Sequence, residues 1–357
     1  MYHYSSFVSH ESTFGFLSVI GWTGVDLFFV LSGYLIANQL FSGVVRHRIL
    51  SLKNFYARRA LRTLPVYWLI LALYFLLPDL MGGSTPPPLW RFLTFTQNWG
   101  LHGGTAFSHA WSLCIEEQFY LILPLAVAGG LWRVGCSRRG WAVLGILVLS
   151  GIGARACLWF SYGKDFSAYH THIYYSTIGR FDEFLPGVAV AMLKNFHRPL
   201  WDRIMAHGQR LLFVACIAVT AVLYAEYRFE EGESLILTAF GYSAIAIAFA
   251  LLVAAALSPG SYLHRSRVPG AYHLAVWSYS IYLSHKAIGN IALRVFSVSK
   301  PPGIAAPLIV AAVCIGVGAV LYRAIEVPFM AFRARRFPST FERLPVDVGT
   351  IPLRSGS

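Results

Sequence analysis

The chain has 357 residues, 56% hydrophobic and only 13% charged, with a formal net charge of +13. A soluble domain of this length carries about a quarter charged residues, so the composition excludes an ordinary water-soluble enzyme and points to lipid as the solvent. The basic excess is distributed loop by loop rather than gathered on one domain, which argues against nucleic acid as a partner.

Met1–Phe7 (MYHYSSF) lacks the basic region and apolar stretch of a cleavable targeting signal. Charge-free runs follow at Leu27–Val45, Ser234–Leu263 and Pro301–Tyr322, of 19, 30 and 22 residues, and a spanning helix needs roughly 20. Spans are predicted near 24–43, 64–80, 110–132, 141–160, 174–193, 211–226, 234–257, 272–294 and 304–323, with a stub before residue 9. The segments 44–63, 133–139, 194–210, 264–271 and 323–357 hold 21 of the 29 Lys and Arg residues. Cytoplasmic loops carry such an excess, so the span from Gly24 runs inward and the C-terminus is cytoplasmic. The last ~30 residues read as a short basic tail, poorly ordered like many termini. Five cysteines show neither ligand spacing nor a disulfide framework and read as packing residues.

Charged clusters interrupt this oily chain. Thr23-Gly24-Val25-Asp26 fits a capping-box pattern, and an acid in a first turn suits the helix dipole. Arg58 and Arg62 lie four apart on one helix face with Arg59 adjacent, read either as membrane anchors or as a phosphate clamp built from guanidinium forks. Glu116 and Glu117 fall near the outer end of their span, where an acid faces a polar cavity or lies among headgroups. His170 and His172 make a weak metal pair in an outer loop. Arg180, Asp182 and Glu183 enter from the outer side and can pair with one another. His285, beside Lys286, lies mid-span, and His3 sits at the outer end of the stub.

GVDLFFVLSGYLI (24–36), FYARRALRTLPVYW (55–68), WSLCIEEQFYLILP (111–124) and SYSIYLSHKA (278–287), in this order, resemble the acyltransferase 3 family of integral membrane acyltransferases. YYSTIGRFDEFLPGVAVAML (174–193) and IEVPF (325–329) are similar to that family's mid-chain arginine-aspartate helix and closing Glu-x-Pro. The resemblance covers His3 to about Phe332. It implies an all-α polytopic membrane protein of about ten transmembrane helices. Residues 1–330 would form the acyltransferase domain and 331–357 a basic cytoplasmic tail. The implied activity carries an acyl group, acetyl above all, from cytoplasmic acyl-CoA across the inner membrane. The acceptor would be a hydroxyl of an extracytoplasmic carbohydrate or small molecule, and no metal is expected.

The family's first helix carries an Arg and, eleven residues later, an essential His, and Met1-Tyr2-His3-Tyr4 matches the His end. The Arg would fall upstream of Met1, so the expectation is a truncated first helix, with Met1 an internal Met or a misassigned start. No esterase-like domain is expected after the last helix. A thioester is already activated, so the chemistry needs a base, and histidine near neutral pKa suits that step. His3 is the expected base, with Asp26 and Glu117 as catalytic carboxylates. Arg58, Arg59 and Arg62 would hold CoA phosphates, and Glu116, Arg180, Asp182 and His285 would line the acceptor side. The resemblance favours Glu117 over Glu116 as the inward-facing acid. The rival readings are a transporter without acyl chemistry and an inactive, truncated member that scaffolds a polysaccharide complex.

Overall fold

The structure, a computed structural model, describes residues 15–82, 86–131, 137–229, 232–299 and 305–342. His3 lies outside them. A 3-10 turn, Ile20–Thr23, leads into α1 (Gly24–Val45), followed by α2 (Leu52–Leu76). After irregular segments come α3 (Trp111–Ala128), α4 (Ser137–Tyr162) and α5 (Leu185–Phe196). A nine-residue helix, Arg198–Ala206, precedes α6 (Gly208–Arg228), α7 (Tyr242–Leu257) and α8 (Ala271–Ser299). The described chain closes with α9 (Ala305–Leu321), a π turn at Tyr322–Glu326 and α10 (Val327–Arg336).

Seven helices among the described residues are long and apolar enough to cross a membrane. Two expected spans differ from that set. The stretch 174–193 is broken into a helical turn at Thr177–Arg180, a 3-10 turn at Phe181–Phe184 and the twelve-residue α5. The break falls where Arg180, Asp182 and Glu183 turn inward to partners, so local backbone regularity yields to ion pairing. α8 runs for 29 residues, but its serines, tyrosines, His285, Lys286 and Arg294 make it too polar to read as a lipid-facing span. α2 begins twelve residues before the expected start at 64. It continues through Pro65, and its N-terminus is capped by Ser51, whose hydroxyl accepts the Asn54 N–H at 3.4 Å.

The bundle is apolar outside. Leu35, Ile122, Leu149 and Phe213 are more than half exposed, as lipid-facing side chains should be. Two buried clusters fill the interior, one around α1, α3, α5 and α7, the other between α2, the segment 106–113 and α8. α1 and α5 run parallel and pack through glycine. A Cβ on Gly33 would strike the Phe184 carbonyl, and one on Gly187 would meet Val30 O and Tyr34 N. Small residues allow this close backbone approach, the usual packing device where lipid supplies no hydrophobic drive.

Residues 331–342 pack against the bundle beyond the expected tail boundary. α10 continues to Arg336, and Phe341 bridges antiparallel to Leu50. The Phe341 ring fills the space that the missing side chain of Gly43 leaves, and Thr340 is buried. An aromatic anchor of this kind holds a segment that composition alone reads as loose.

Candidate active site

Contacts between α1, α2, α3 and α8 define two ends of the bundle. The Gly24 end carries Asp26, Trp111 and Met81, and the Val45 end carries Leu52 and the start of α8. Near the Gly24 end lies a fully buried ionic network. Arg180 donates from Nη2 to Asp26 Oδ1 at 2.9 Å and from Nε to Glu183. Its guanidinium faces the Tyr242 ring at 4.0 Å and the Tyr174 ring at 5.0 Å. Arg155 donates from Nη2 to Asp182 Oδ2 at 3.0 Å, from Nη1 to the Gly179 carbonyl at 2.8 Å and from Nε to the Ala239 carbonyl at 3.0 Å. Ser243 donates to Asp182 Oδ2 at 2.6 Å. The Arg155, Asp182, Arg180, Asp26 and Glu183 side chains of these ion pairs are fully buried.

This network corrects the capping reading of Asp26. Residues 20–23 are already helical, so the Thr23 hydroxyl turns back to donate to Ile20 O at 2.8 Å and makes no cap. The Asp26 carboxylate goes to Arg180 instead. Arg155 was legible only as an arginine inside a span. That a lone Arg interrupts an otherwise apolar stretch of α4 is the signal that could have singled it out.

The second polar region is a seam between α2, α3, α8 and the π turn. From the Val45 end, Arg58 donates to Phe337 O, and Arg62 pairs with Glu326, which also accepts from Ser280 at 2.6 Å. Arg333 of α10 lies close to Arg58, Arg59 and Arg62, and its Nε is buried with no hydrogen-bond partner among the described residues. Next to Arg58 on α2, Arg59 lies 3.7 Å from Glu116 Oε1 and stacks at 3.6 Å over the Tyr120 ring. Glu116 also accepts from Ser32 at 2.8 Å and from Tyr120. Farther on, Tyr279 donates to Thr63 O at 2.7 Å, and Ser112 meets the Tyr282 hydroxyl at 2.6 Å. At the Gly24 end, the His109 and His285 rings pack edge to face with centroids 4.9 Å apart. His109 Nε2 lies 3.1 Å from Leu283 O, and His285 Nδ1 lies 2.6 Å from Tyr282 O.

The position of the two glutamates is corrected here. Both glutamates face the seam: Glu116 is 4% exposed, and Glu117, half-buried, lies beside Arg59 and Thr63. Glu116 also lies deeper than the mouth marked by Asp26. It meets Ser32, six residues farther along α1, or ~9 Å at 1.5 Å per residue. Both acids therefore join the arginines rather than Asp26. Arg58, Arg59 and Arg62 share one region as expected, but each already holds a protein partner. Asp182 belongs to the Arg155 pair and His285 to the seam. His170 and His172 do not converge on a common point, since His170 Nδ1 lies 2.8 Å from Phe166 O and His172 stacks on Tyr162. Sequence reading missed His109, Ser108 and Arg333. The first two sit in a short polar stretch that reads as a loop, and Arg333 hides in a basic tail.

The sequence pattern of the acyltransferase domain family, acyltransferase 3, matches residues 1–323. The chain belongs to that family. This acyltransferase-family chain is 27% identical over 330 residues to the peptidoglycan O-acetyltransferase OatA of Listeria monocytogenes, a match covering 86% of the chain and 51% of that relative. It is 28% identical over 336 residues to the putative peptidoglycan O-acetyltransferase YrhL of Bacillus subtilis, covering 89% and 52%. A putative O-acetyltransferase of Staphylococcus aureus is 25% identical over 331 residues, covering 87% and 52%. The chain thus spans about half the length of the curated relatives it matches. No solved structure matches this acyltransferase-family chain.

Proposed function

We propose that the protein is a transmembrane O-acyltransferase that carries an acetyl group from cytoplasmic acetyl-CoA to a hydroxyl of an extracytoplasmic carbohydrate. One observation carries this reading. A seam of polar side chains runs along the bundle from the arginine group Arg58, Arg59, Arg62 and Arg333 to the histidine pair His109 and His285. The arginine end suits the phosphates of CoA, because guanidinium forks bind phosphate oxygens bidentately. Basic loops gather at that same end, which the excess of Lys and Arg assigns to the cytoplasm together with the C-terminus and residues 331–357. Residues 1–330 form the acyltransferase domain in this reading. His3 serves as the base that takes the acceptor proton. Asp26 Oδ2, buried and without a hydrogen-bond partner among the described residues, is the atom suited to orient its imidazole. Names of relatives favour a peptidoglycan hydroxyl as acceptor.

The test is release of CoA thiol from acetyl-CoA by membranes carrying the protein, with acetylated glycan measured by mass spectrometry. Arg58→Ala and Arg333→Ala should each raise the apparent KM for acetyl-CoA roughly tenfold, the loss of one charge-assisted hydrogen bond, and leave the acceptor KM unchanged. Thiol release that is equal with and without the protein overturns the reading.

A further inference from the structure

Ser108 and Lys286 take no part in the reaction as proposed above, yet they form a built pair. Lys286 Nζ lies 2.6 Å from Ser108 Oγ and 3.1 Å from Thr105 O. Both side chains are more than nine-tenths buried, with Ser108 6% and Lys286 8% exposed. The strand of chain that carries the serine is fixed to α8 by further contacts: His109 Nε2 to Leu283 O, Tyr282 to His109 O, and Ser112 to Tyr282. The residue before it, Phe107, is fully buried with φ 56°, in the left-handed region that bulky L residues avoid. Such backbone strain persists only where the surroundings enforce it, and it concentrates at functional positions. Lys286 also stands at the N-terminal end of α3, where the helix dipole is positive.

We infer that Ser108 and Lys286 are a nucleophile–base dyad that carries the acetyl group as a covalent acyl-enzyme between CoA and the acceptor. Ser–Lys pairs are an established alternative to the Ser-His-Asp arrangement. Ser108 Oγ attacks the thioester carbonyl while its proton passes to Lys286 Nζ, acting as the free amine. The C–S bond breaks, and the departing CoA thiolate takes that proton. In the second half the acceptor oxygen attacks the ester carbonyl. The proton released from the acceptor hydroxyl returns to Ser108 Oγ through Lys286. The inference rests on the acetyltransferase reading and adds the intermediate to it.

The experiment uses the full chain in membranes with radiolabelled acetyl-CoA and no acceptor, followed by peptide mapping and, in parallel, assay of CoA thiol release and glycan acetylation. Label on the peptide containing Ser108, absent in Ser108→Ala, is expected. Ser108→Cys should convert a label stable to neutral hydroxylamine into one that hydroxylamine removes, because the ester becomes a thioester. A merely structural serine would not move that signature. Lys286→Met should slow labelling on the order of 10²-fold, as loss of a general base does. If wild-type protein acetylates glycan without carrying label, or Ser108→Ala retains that activity, or Lys286→Met labels at the wild-type rate, the dyad is overturned and the transferase reading stands. If wild-type protein releases no thiol and acetylates nothing, the transferase reading falls and the dyad with it.

Discussion

Asp182 and Arg155 have no exposure on either side chain of their pair, so Asp182→Asn leaves a buried guanidinium without its counter-charge. Breaking a buried pair from one side costs about 3–5 kcal/mol. The variant should therefore lose detergent-solubilised stability in a thermal aggregation assay, and Asp182→Ala should not improve on it. The two adjacent glutamates separate by a different criterion. Glu116 holds Ser32, Tyr120 and Arg59 at once. Glu116→Gln should lower stability by about 1.5–3 kcal/mol, the range for hydrogen bonds to charged groups. Glu117, half-buried beside Arg59, should tolerate Gln with unchanged stability, so that any loss of acetyl transfer reports on chemistry alone. A destabilised Glu117→Gln, or a Glu116→Gln of wild-type stability, would show the two roles exchanged. That these positions matter was legible in the sequence, because a carboxylate in an apolar run stands out against its neighbours. Their partners were not. Asp26 meets Arg180 across 154 positions and Ser32 meets Glu116 across 84, and no local pattern encodes which distant charge arrives opposite.

α1 and α5 approach through Gly33 and Gly187 with no room for a side chain. Phe29 of α1 also stacks on Phe184, just before α5, with centroids 4.5 Å apart. Gly187→Leu must push the helices apart, at about 1–3 kcal/mol for an overpacked core. Because Arg180 lies just before α5 and Asp26 on α1, that shift also strains their pair. The expected result is a lowered aggregation temperature together with reduced acetyl transfer, whereas Gly145→Leu, where a Cβ meets nothing within 4 Å, should leave both unchanged. Helix existence was readable for most of the bundle, since long charge-free runs have few alternatives in lipid. The segment 174–193 was not readable as three pieces. Its apolar content says span, and only the inward turn of Arg180 and Asp182 toward distant partners explains why the backbone breaks there. The serine–lysine pair was likewise invisible, because Ser108 lies in a stretch that local composition reads as a connection.

The bundle holds an ionic network inside an apolar outer face, and that buried network ties α1, α4, the 177–184 turns and α7 into one body. This arrangement has a consequence for how the chain is made. α1 reaches the bilayer carrying Asp26 while Arg180 is still 154 residues from being synthesised. At ~5–20 residues per second, the carboxylate waits ~8–30 s without its partner. Arg155 then enters on α4 and waits in turn for Asp182. The expected consequence is that insertion precedes folding, with the unmatched charges sheltered in the interval. A chain ended after Tyr162 never receives either partner. In a pulse-chase experiment it should be degraded several-fold faster than one ended after Ala206, and Asp26→Asn should lengthen the life of the shorter chain. Equal half-lives would mean that the early helices need no protection, and that their charges find water or lipid headgroups until the later helices arrive.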